Sequence, residues 1–335
     1  MYDIITFGSA TEDVVVKPKQ LTNLKYCKTS EEAICFPFGS KIDVDQMMFN
    51  SGGGGTNTAA TFALQGLKTA YCGMIGNDIP GQEIIKELKQ LKVDTRFVVK
   101  TDKKQTNHSI VILSENQDRT ILAYRGAAEL LDEKTIPWRK LKTKWIYLAP
   151  LSGLLCDPAQ RGQDPLSGST IFEDIVDFAK KNNIKIAINP GLAQLSLPRF
   201  VEIAAKIDVL FLNQEEASFL TKIPFTQEEA IFKKIDEFFP NIVVMTKGSA
   251  GVLVSDGKSQ YSAEPNSDRV VVDTTGAGDS FASGFLSEFM RTFDIEKSIQ
   301  LGMANSEGCL SKVGAKHGLL KKGQEFKRVE VMKSN

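Results

Sequence analysis

The feature that most constrains the fold is a regular alternation of strand-like and helix-like segments in the second half of the chain. Short apolar runs alternate there with stretches whose apolar residues recur at helical spacing. The segments are 145–148, 171–181, 185–188, 209–212, 215–220, 231–238 and 242–246. This order predicts an α/β fold, with a central, mostly parallel sheet and helices on both faces.

The first half of the chain begins in the same way and then departs from it. A strand at 4–7, a helix at 56–65, a strand at 69–75 and a helix at 81–91 fit the alternation. Residues 97–124 instead contain strand-like runs at 97–99, 110–113 and 120–124, which fit antiparallel hairpins. We expect one domain over 1–335, with a small β lid sheet built from about 14–50 and 95–125.

Composition and charge narrow the functional classes. The 335 residues contain 41 Lys plus Arg and 41 Asp plus Glu, so the basic excess typical of proteins that track nucleic acid or anionic membranes is absent. No apolar run is long enough to span a bilayer, and the first residues do not resemble a signal peptide. Five scattered cysteines without a C-x-x-C pair predict free thiols in a reducing compartment. We expect a cytoplasmic protein that acts on small molecules.

The strongest chemical signal is the string VVVDTTGAGDSF at 270–281, which predicts a strand in the β-branched run, then a glycine turn and a helix. A helix N-terminus attracts anions, and Gly276 and Gly278 let a phosphate approach the backbone amides. Asp279 is the first carboxylate after the turn and can accept the proton of an attacking hydroxyl. The alternative is that Asp279 only caps the helix.

A second signal is the glycine run at 52–55, which opens the helix that ends near Gln65. Four glycines cost conformational entropy, so such a run usually marks close approach of the backbone to a ligand. Asn57 in the first turn can hydrogen-bond a polyol, which a simple hinge would not explain. The run is not a dinucleotide-binding fingerprint, and residues 248–251 lack the lysine of a phosphate-binding P-loop.

Together the two elements resemble the signature motifs of the PfkB family of carbohydrate kinases, also called ribokinase-like, in order, separation and context. The resemblance covers about residues 4–320. It implies ATP-dependent phosphorylation of a hydroxyl of a small sugar, with Mg²⁺ as cofactor and, in several members, K⁺.

The resemblance also implies roles for individual residues near the chemistry. The catalytic set is Asp279 as the base, with Gly276, Ala277 and Gly278 as the anion hole. The substrate-binding set is Asp13, Gly53, Gly54 and Asn57. The positions that match a monovalent-cation site are Asp273 and Thr275.

On the nucleotide side, Asn213 and Glu216 match a motif that organises Mg²⁺ through water. Taken without the family, Glu216 is equally well explained as a solvated acid favoured by the helix dipole. The loop that cradles ATP matches Thr246, Lys247, Gly248 and Gly251, and the adenine-side wall matches Asn305 and Gly314.

Departures from ribokinase bear on the substrate. Ribokinases usually carry Lys at the position of Gly54, Asn at that of Thr11, and Glu near the end of the strand at 148–151, so D-ribose is not expected. We expect a sugar kinase; a nucleoside kinase of the same fold and a ligand-binding regulator without catalysis are the alternatives. The lid sheet pairs two subunits in many members, so a homodimer is also expected.

Overall fold

The computed structural model describes residues 1–19, 22–25, 32–36, 38–113, 119–151 and 169–334, and only the backbone at 22–25, 32–35 and 119. The strands are β1 (Tyr2–Phe7), β2 (Thr11–Pro18), β3 (Thr22–Lys25), β4 (Glu32–Cys35), β5 (Val44–Gly52), β6 (Thr69–Gly76), β7 (Asp94–Thr101), β8 (Asn107–Leu113), β9 (Arg119–Tyr124), β10 (Thr143–Leu148), β11 (Lys185–Ile188), β12 (Val209–Asn213), β13 (Ile242–Thr246), β14 (Val252–Ser255), β15 (Gln260–Ala263) and β16 (Val331–Ser334). The helices are α1 (Gly54–Leu64), α2 (Ile79–Gln90), α3 (Ile171–Lys181), α4 (Leu192–Leu195), α5 (Phe200–Ala204), α6 (Gln214–Thr221), α7 (Glu228–Phe238), α8 (Ala277–Thr292) and α9 (Ile295–Leu310).

Ten strands form one large sheet in the order β16-β15-β14-β13-β12-β11-β10-β1-β6-β7. The strands from β13 to β7 all pair in parallel, and β14, β15 and β16 continue the sheet as antiparallel strands. Parallel neighbours require crossover connections, which the intervening helices supply. The expected α/β architecture is confirmed.

Helices cover both faces of this sheet over separate apolar cores. On one face α8 and α9 pack on the strands, with Phe281, Phe285 and Phe289 of α8 buried at the expected helical spacing. On the other face α3, α5 and α7 pack through Phe172, Phe200 and Phe232. Helix α1 lies on the same face as α8, so the N-termini of these two helices reach the same edge of the sheet.

A separate small sheet has the order β5-β2-β8-β9, and β3 pairs with β4 alone. Strand β2 is antiparallel to β5 and parallel to β8. Side chains alternate along strands, so Asp13 lies on one face and its neighbours Val14 and Phe49 on the other. We call β5, β2, β8 and β9 the small sheet below.

Two expectations about strands were wrong. Residues 97–99, expected in a hairpin, belong to β7, which follows α2 and joins the large sheet parallel to β6; Phe97 is buried there because this is a βαβ crossover. The β-branched run at 270–272 forms no strand, and its three valines are exposed. Strand propensity requires a pleated surface to pack on, which these residues lack.

The described residues contain no helix that combines the length and apolar character needed to cross a bilayer. Cys72 and Cys309 are buried free thiols, as expected from the cysteine spacing. The side chains of Cys27, Cys35 and Cys156 lie outside the described residues.

Candidate active site

The candidate site lies at the edge where the parallel strands end. The chain leaves β1 into Gly8, β10 into Ala149, β12 at Asn213 and β13 at Thr246. The carboxyl ends of parallel strands meet at one edge of a sheet, which is where open α/β folds bind ligands.

Helix α8 opens toward this edge with uncapped amides. Its N-cap is Gly276, in the left-handed region at φ 77°, and within the described residues no side chain caps the first turn. A Cβ on Gly276 would overlap that of Ala315, so glycine is required there, whereas a Cβ on Gly278 would meet nothing within 4 Å. Within the α8 turn (residues 276–278) the Ala277 amide donates to the Thr274 carbonyl at 3.3 Å, so the turn offers the Gly276 and Gly278 amides and the positive end of the helix dipole to an anion.

The Asp279 carboxylate lies beside this turn and contacts α1. Asn57 Nδ2 donates a hydrogen bond of 2.9 Å to Asp279 Oδ2. Burial raises the pKa of Asp279, which the Asn57 hydrogen bond and the Lys316 ammonium counteract, while the nearby Asp13 carboxylate raises it further. A carboxyl with a raised pKa that stays hydrogen-bonded to a neutral amide is suited to proton transfer.

The glycine run is required by close packing around the same carboxylate. A Cβ on Gly53 would lie 2.5 Å from the carbonyl oxygen of Ser9, and its φ of 95° also excludes most side chains. A Cβ on Gly54 would lie 3.5 Å from Asp279 Oδ1. The run brings the start of α1 against β1 and Asp279, so it is a site of close approach rather than a hinge.

Asp13 comes to the site from β2 of the small sheet. It pairs in register with Asn50 of β5 and Ser109 of β8, and the Ser109 hydroxyl donates a hydrogen bond to its carboxylate. The Asp13 carboxylate packs against Gly52, at the start of the glycine run, and its charge raises the pKa of Asp279. Asn57 and Gly54 therefore lie beside Asp279, with Gly53 and Asp13 next to them, and Gly54 is the one of these four predicted residues that lines the cavity described next.

An acceptor-sized cavity of about 410 Å³ opens above Asp279. Its polar lining comes from Ser9, Asn107, Arg125 and Asp279, and its apolar wall includes Met74, Leu131 and Leu151. Neither Asn107 nor Arg125 was predicted, since single polar residues in a hairpin region give no distinguishing sequence signal.

A second cavity of about 300 Å³ lies on the other side of the α8 turn. The predicted residues that line it are Thr246, Gly248, Gly251, Ala277 and Gly278. Its remaining wall comes from α9 and the segment before the turn, including Arg269, Val271, Met303, Ser306 and Glu307. Of the exposed valines at 270–272, Val271 lines this cavity, and none of the three belongs to a sheet.

Several predicted nucleotide-side residues lie elsewhere. Lys247 pairs with Glu228 at 2.9 Å instead of lining the cavity. Asn305 is fully buried, donates to Thr61 and Ser280 and accepts from the Leu320 amide, so it holds elements together and is no wall of a cavity. This corrects the adenine-side assignment, because an amide whose groups are all bonded internally has none left for a base.

Gly314 is also absent from the cavity lining. Its amide donates to Asp273 Oδ2 at 2.9 Å, and Asp273 Oδ1 accepts from the Thr275 amide at 2.9 Å. Asp273 thus links the approach to the α8 turn with the loop around Gly314. No group of three or more His, Cys, Asp or Glu that could hold a metal ion occurs among the described residues.

Asn213 and Glu216 form a reciprocal capping box at the start of α6. Asn213 Oδ1 accepts from the Glu216 amide at 2.7 Å, and Glu216 Oε2 accepts from the Asn213 amide at 2.9 Å. Burial, together with the charges of Glu215 and Asp279, raises the pKa of Glu216 to about 7, although the Asn213 hydrogen bond lowers it. A desolvated carboxylate among other acids is an environment that a cation would relieve.

Two buried residues near the site were missed. Lys316 has a side chain only 2% exposed, and Tyr147 is fully buried with a hydroxyl that finds no hydrogen-bond partner among the described residues. The charges of Asp279 and Glu216 add to burial in raising the pKa of Tyr147. No sequence pattern distinguishes such a lysine from the many that lie on surfaces.

Comparison with known proteins bears on the family and the fold of this chain. A model of the pfkB family of carbohydrate kinases matches residues 19–322. The ribokinase of Haemophilus influenzae is 27% identical over 279 residues, covering 80% of this chain and 83% of its own. The cytidine kinase of Thermococcus kodakarensis is 27% identical over 286 residues, covering 85% and 94%. Arabidopsis thaliana ribokinase, solved with ribose and ATP, has a TM-score of 0.76 at 21% identity over 96% of both chains.

Proposed function

Because this chain belongs to the pfkB family of carbohydrate kinases and is therefore an ATP-dependent phosphotransferase, we propose that it phosphorylates a hydroxyl of a small sugar or sugar derivative with Asp279 as general base. One observation carries the proposal. The Asp279 carboxylate lines the 410 Å³ cavity, while Ala277 and Gly278, just before it, line the 300 Å³ cavity. The α8 turn thus separates a place for the acceptor from a place for the nucleotide.

The proposed step is in-line transfer of the γ-phosphoryl group of ATP. The acceptor hydroxyl gives its proton to Asp279, and its oxygen forms a new bond to the γ-phosphorus. The bond from that phosphorus to the bridging oxygen of ADP breaks, and ADP leaves. Asn57 holds the carboxylate in place, and the amides of the α8 turn stabilise charge on the transferring oxygens.

The residues present fit a divalent cation on the nucleotide side. Glu216 supplies a desolvated carboxylate, and Asn213 stands beside it. Mg²⁺ would neutralise phosphate charge there, with these two residues holding its water ligands. Asp273 and Thr275 remain the proposed positions beside a monovalent cation; Gly314 contacts the same carboxylate.

The acceptor class is the finer part of the proposal. The polar side of the cavity, with Ser9, Asn107 and Arg125, supports a hydroxyl-rich sugar. The wall of Met74 and Leu131 favours a second candidate, a nucleoside whose base needs an apolar surface. The absence of the ribokinase Lys at Gly54 and Asn at Thr11 supports an acceptor other than D-ribose.

An activity panel tests the proposal. Sugars, sugar acids and nucleosides are incubated with the protein and Mg-ATP, and acceptor-dependent ADP release is measured for the wild-type chain and for Asp279→Asn. We expect at least one sugar to be phosphorylated, and the variant to lose about 10²–10⁴ in kcat while still binding ATP. A folded, ATP-binding wild-type protein that phosphorylates none of these compounds would instead support the alternative of a ligand-binding regulator without catalysis.

We also propose a homodimer formed through the small sheet. The face of this sheet opposite Asp13 exposes Phe49 (63%), Ile110 (42%) and Leu122 (55%), which lie in one row across the strands. A second copy meeting this face about a two-fold axis would cover both apolar rows at once. Use of ATP as donor also fits the expected cytoplasmic location.

A further inference from the structure

The segment from Gly314 to Lys316 touches three parts of the site with three consecutive residues. The Gly314 amide donates to Asp273. The side chain of Ala315 packs against Gly276, where a Cβ would overlap it. The ammonium of Lys316 points the other way, toward the last residues of β5.

Lys316 is held by two partners on different elements. Its Nζ lies 2.5 Å from Ser51 Oγ on β5 and 3.1 Å from Glu87 Oε2 on α2. Ser51 also donates to Glu87, which closes a triangle of three polar groups. The Lys316 side chain is 2% exposed, so breaking the triangle would leave a buried charge without its counter-ion.

The triangle adjoins the carboxylates that the mechanism uses. Ser51 precedes Gly52, which packs directly against the Asp13 carboxylate. Burial lowers the pKa of Lys316, and the negative charges of Glu87, Asp13 and Asp279 counteract this lowering. In return its positive charge counteracts the raised pKa of Asp279.

We propose that Lys316 is a positioning residue for phosphoryl transfer: its ammonium fixes the end of β5 against the α8 turn and keeps the Asp279 carboxylate ionised in a buried site. The inference rests on the proposed function, since it assigns Lys316 a role through the general base. Removal of Lys316 would remove the contacts that tie residues 314–316 to β5 and α2, together with a positive charge that counteracts the raised pKa of Asp279.

Charge and position make separate predictions. A cation near a carboxylate lowers its pKa, so removal of Lys316 raises the pKa of Asp279. Removal of Glu87 takes away the carboxylate that offsets Lys316, so the pKa of Asp279 falls. The other polar and ionisable groups that act on Asp279 or share its cavity are the same in both variants: Asn57, Asp13, Arg125, Tyr147, Glu216 and Cys309.

The experiment is the pH profile of kcat/KM for wild type, Lys316→Met and Glu87→Gln, with the exposed Lys312→Met as the matched control. In Lys316→Met we expect the acidic limb to move up by about one pH unit, and kcat to fall by about 10²-fold because the α8 turn is displaced. In Glu87→Gln, whose side chain is 31% exposed and tolerates change, the limb moves to lower pH. In Lys312→Met it stays in place.

The proposal is overturned if the acidic limb moves in the same direction in Lys316→Met and Glu87→Gln, or if it moves in neither variant. Should Lys316→Met fail to fold, Lys316→Gln takes its place, because it keeps a polar partner for Ser51 and Glu87 and loses only the charge; an unmoved limb in that variant overturns the proposal. An active wild-type enzyme with unmoved limbs refutes the role of Lys316 only. A wild-type enzyme inactive across the acceptor panel refutes the proposed function and this inference with it.

Discussion

Asn57 Nδ2 and Asp279 Oδ2 lie 2.9 Å apart, joining the first turn of α1 to the first turn of α8 across 222 positions of sequence. The second polar atom of the same amide, Asn57 Oδ1, is buried and has no partner among the described residues. One amide therefore orients the proposed base and leaves one buried acceptor atom without a partner among the described residues. Buried polar atoms are seldom left without partners, so a substrate hydroxyl is a natural donor for Oδ1.

Asn57→Ala should impair both functions of this amide. Loss of a hydrogen bond to the charged form raises the pKa of Asp279, so the acidic limb of kcat/KM should move to higher pH. The KM for the acceptor should rise, and the KM for ATP should stay unchanged. Steady-state kinetics across pH measure both, with the exposed Asn182→Ala as control. An unchanged limb would mean that Asn57 does not orient the base.

Substitutions at two glycines of the α8 turn should separate stability from catalysis. Gly278→Ala meets no atoms and should fold normally, but its methyl group blocks the approach of a phosphoryl group, so kcat should fall by about 10²-fold. The backbone of Gly276 has φ 77°, and a Cβ there would overlap Ala315. Gly276→Ala should therefore lower the free energy of unfolding by more than about 1 kcal/mol. Urea denaturation and turnover distinguish the two. Full activity in Gly278→Ala would show that this turn does not form the anion hole.

Gly54→Ala should weaken acceptor binding selectively. Its Cβ would lie 3.0 Å from Ala149 Cβ and 3.5 Å from Asp279 Oδ1, inside the acceptor cavity. We expect a higher KM for the acceptor with KM for ATP unchanged. Gly191→Ala lines the same cavity away from Asp279 and serves as the control. An equal rise of the acceptor KM in the two variants would show that the position of Gly54 beside Asp279 does not matter for acceptor binding.

Asp78→Asn should destabilise the fold in a pH-dependent way. Asp78 caps α2 through the Gly81 amide and accepts two hydrogen bonds from Thr106. Burial raises the pKa of Asp78, but these hydrogen bonds outweigh it and leave the pKa below its usual value. The stability this provides is present above the unfolded pKa near ~4 and is lost as pH falls through the lower folded pKa.

We therefore expect wild type to exceed Asp78→Asn by about 1–2 kcal/mol in free energy of unfolding at pH 7, because a cap and charged hydrogen bonds are lost. The difference should narrow below pH ~4. Urea denaturation at several pH values measures it, with the exposed Asp177→Asn as control. A constant difference across pH would show that the ionised form of Asp78 contributes nothing.

Phe49→Glu should produce a monomer. Placing a charge in the middle of the exposed row on the small sheet makes burial against a second copy unfavourable. Light scattering coupled to size-exclusion chromatography measures the mass. Phe219→Glu, at an exposed phenylalanine of α6 (47%), should leave the mass unchanged. A wild-type chain that is monomeric at micromolar concentration would refute the dimer.

The sequence predicted the elements whose signals are local. The alternation after Trp145 specified parallel strands with crossover helices, and the glycines at 276 and 278 marked a helix N-terminus open to an anion. Local strand propensity gave wrong predictions where contacts with a distant part of the chain determine the structure. The valines at 270–272 have strong strand propensity but are exposed outside any sheet, and residues 97–99 join the large sheet because α2 carries them beside β6.

What the sequence alone determined is the α/β fold and the chemical character of its two glycine motifs, because turns, caps and apolar periodicity act between residues close in the chain. Only the tertiary structure shows that Asn57 contacts Asp279, that Lys316 is buried between β5 and α2, and that Asn305 does not line the nucleotide cavity. These outcomes depend on contacts between residues hundreds of positions apart, and a single lysine or asparagine has the same local propensity whether it ends in solvent or in a buried site.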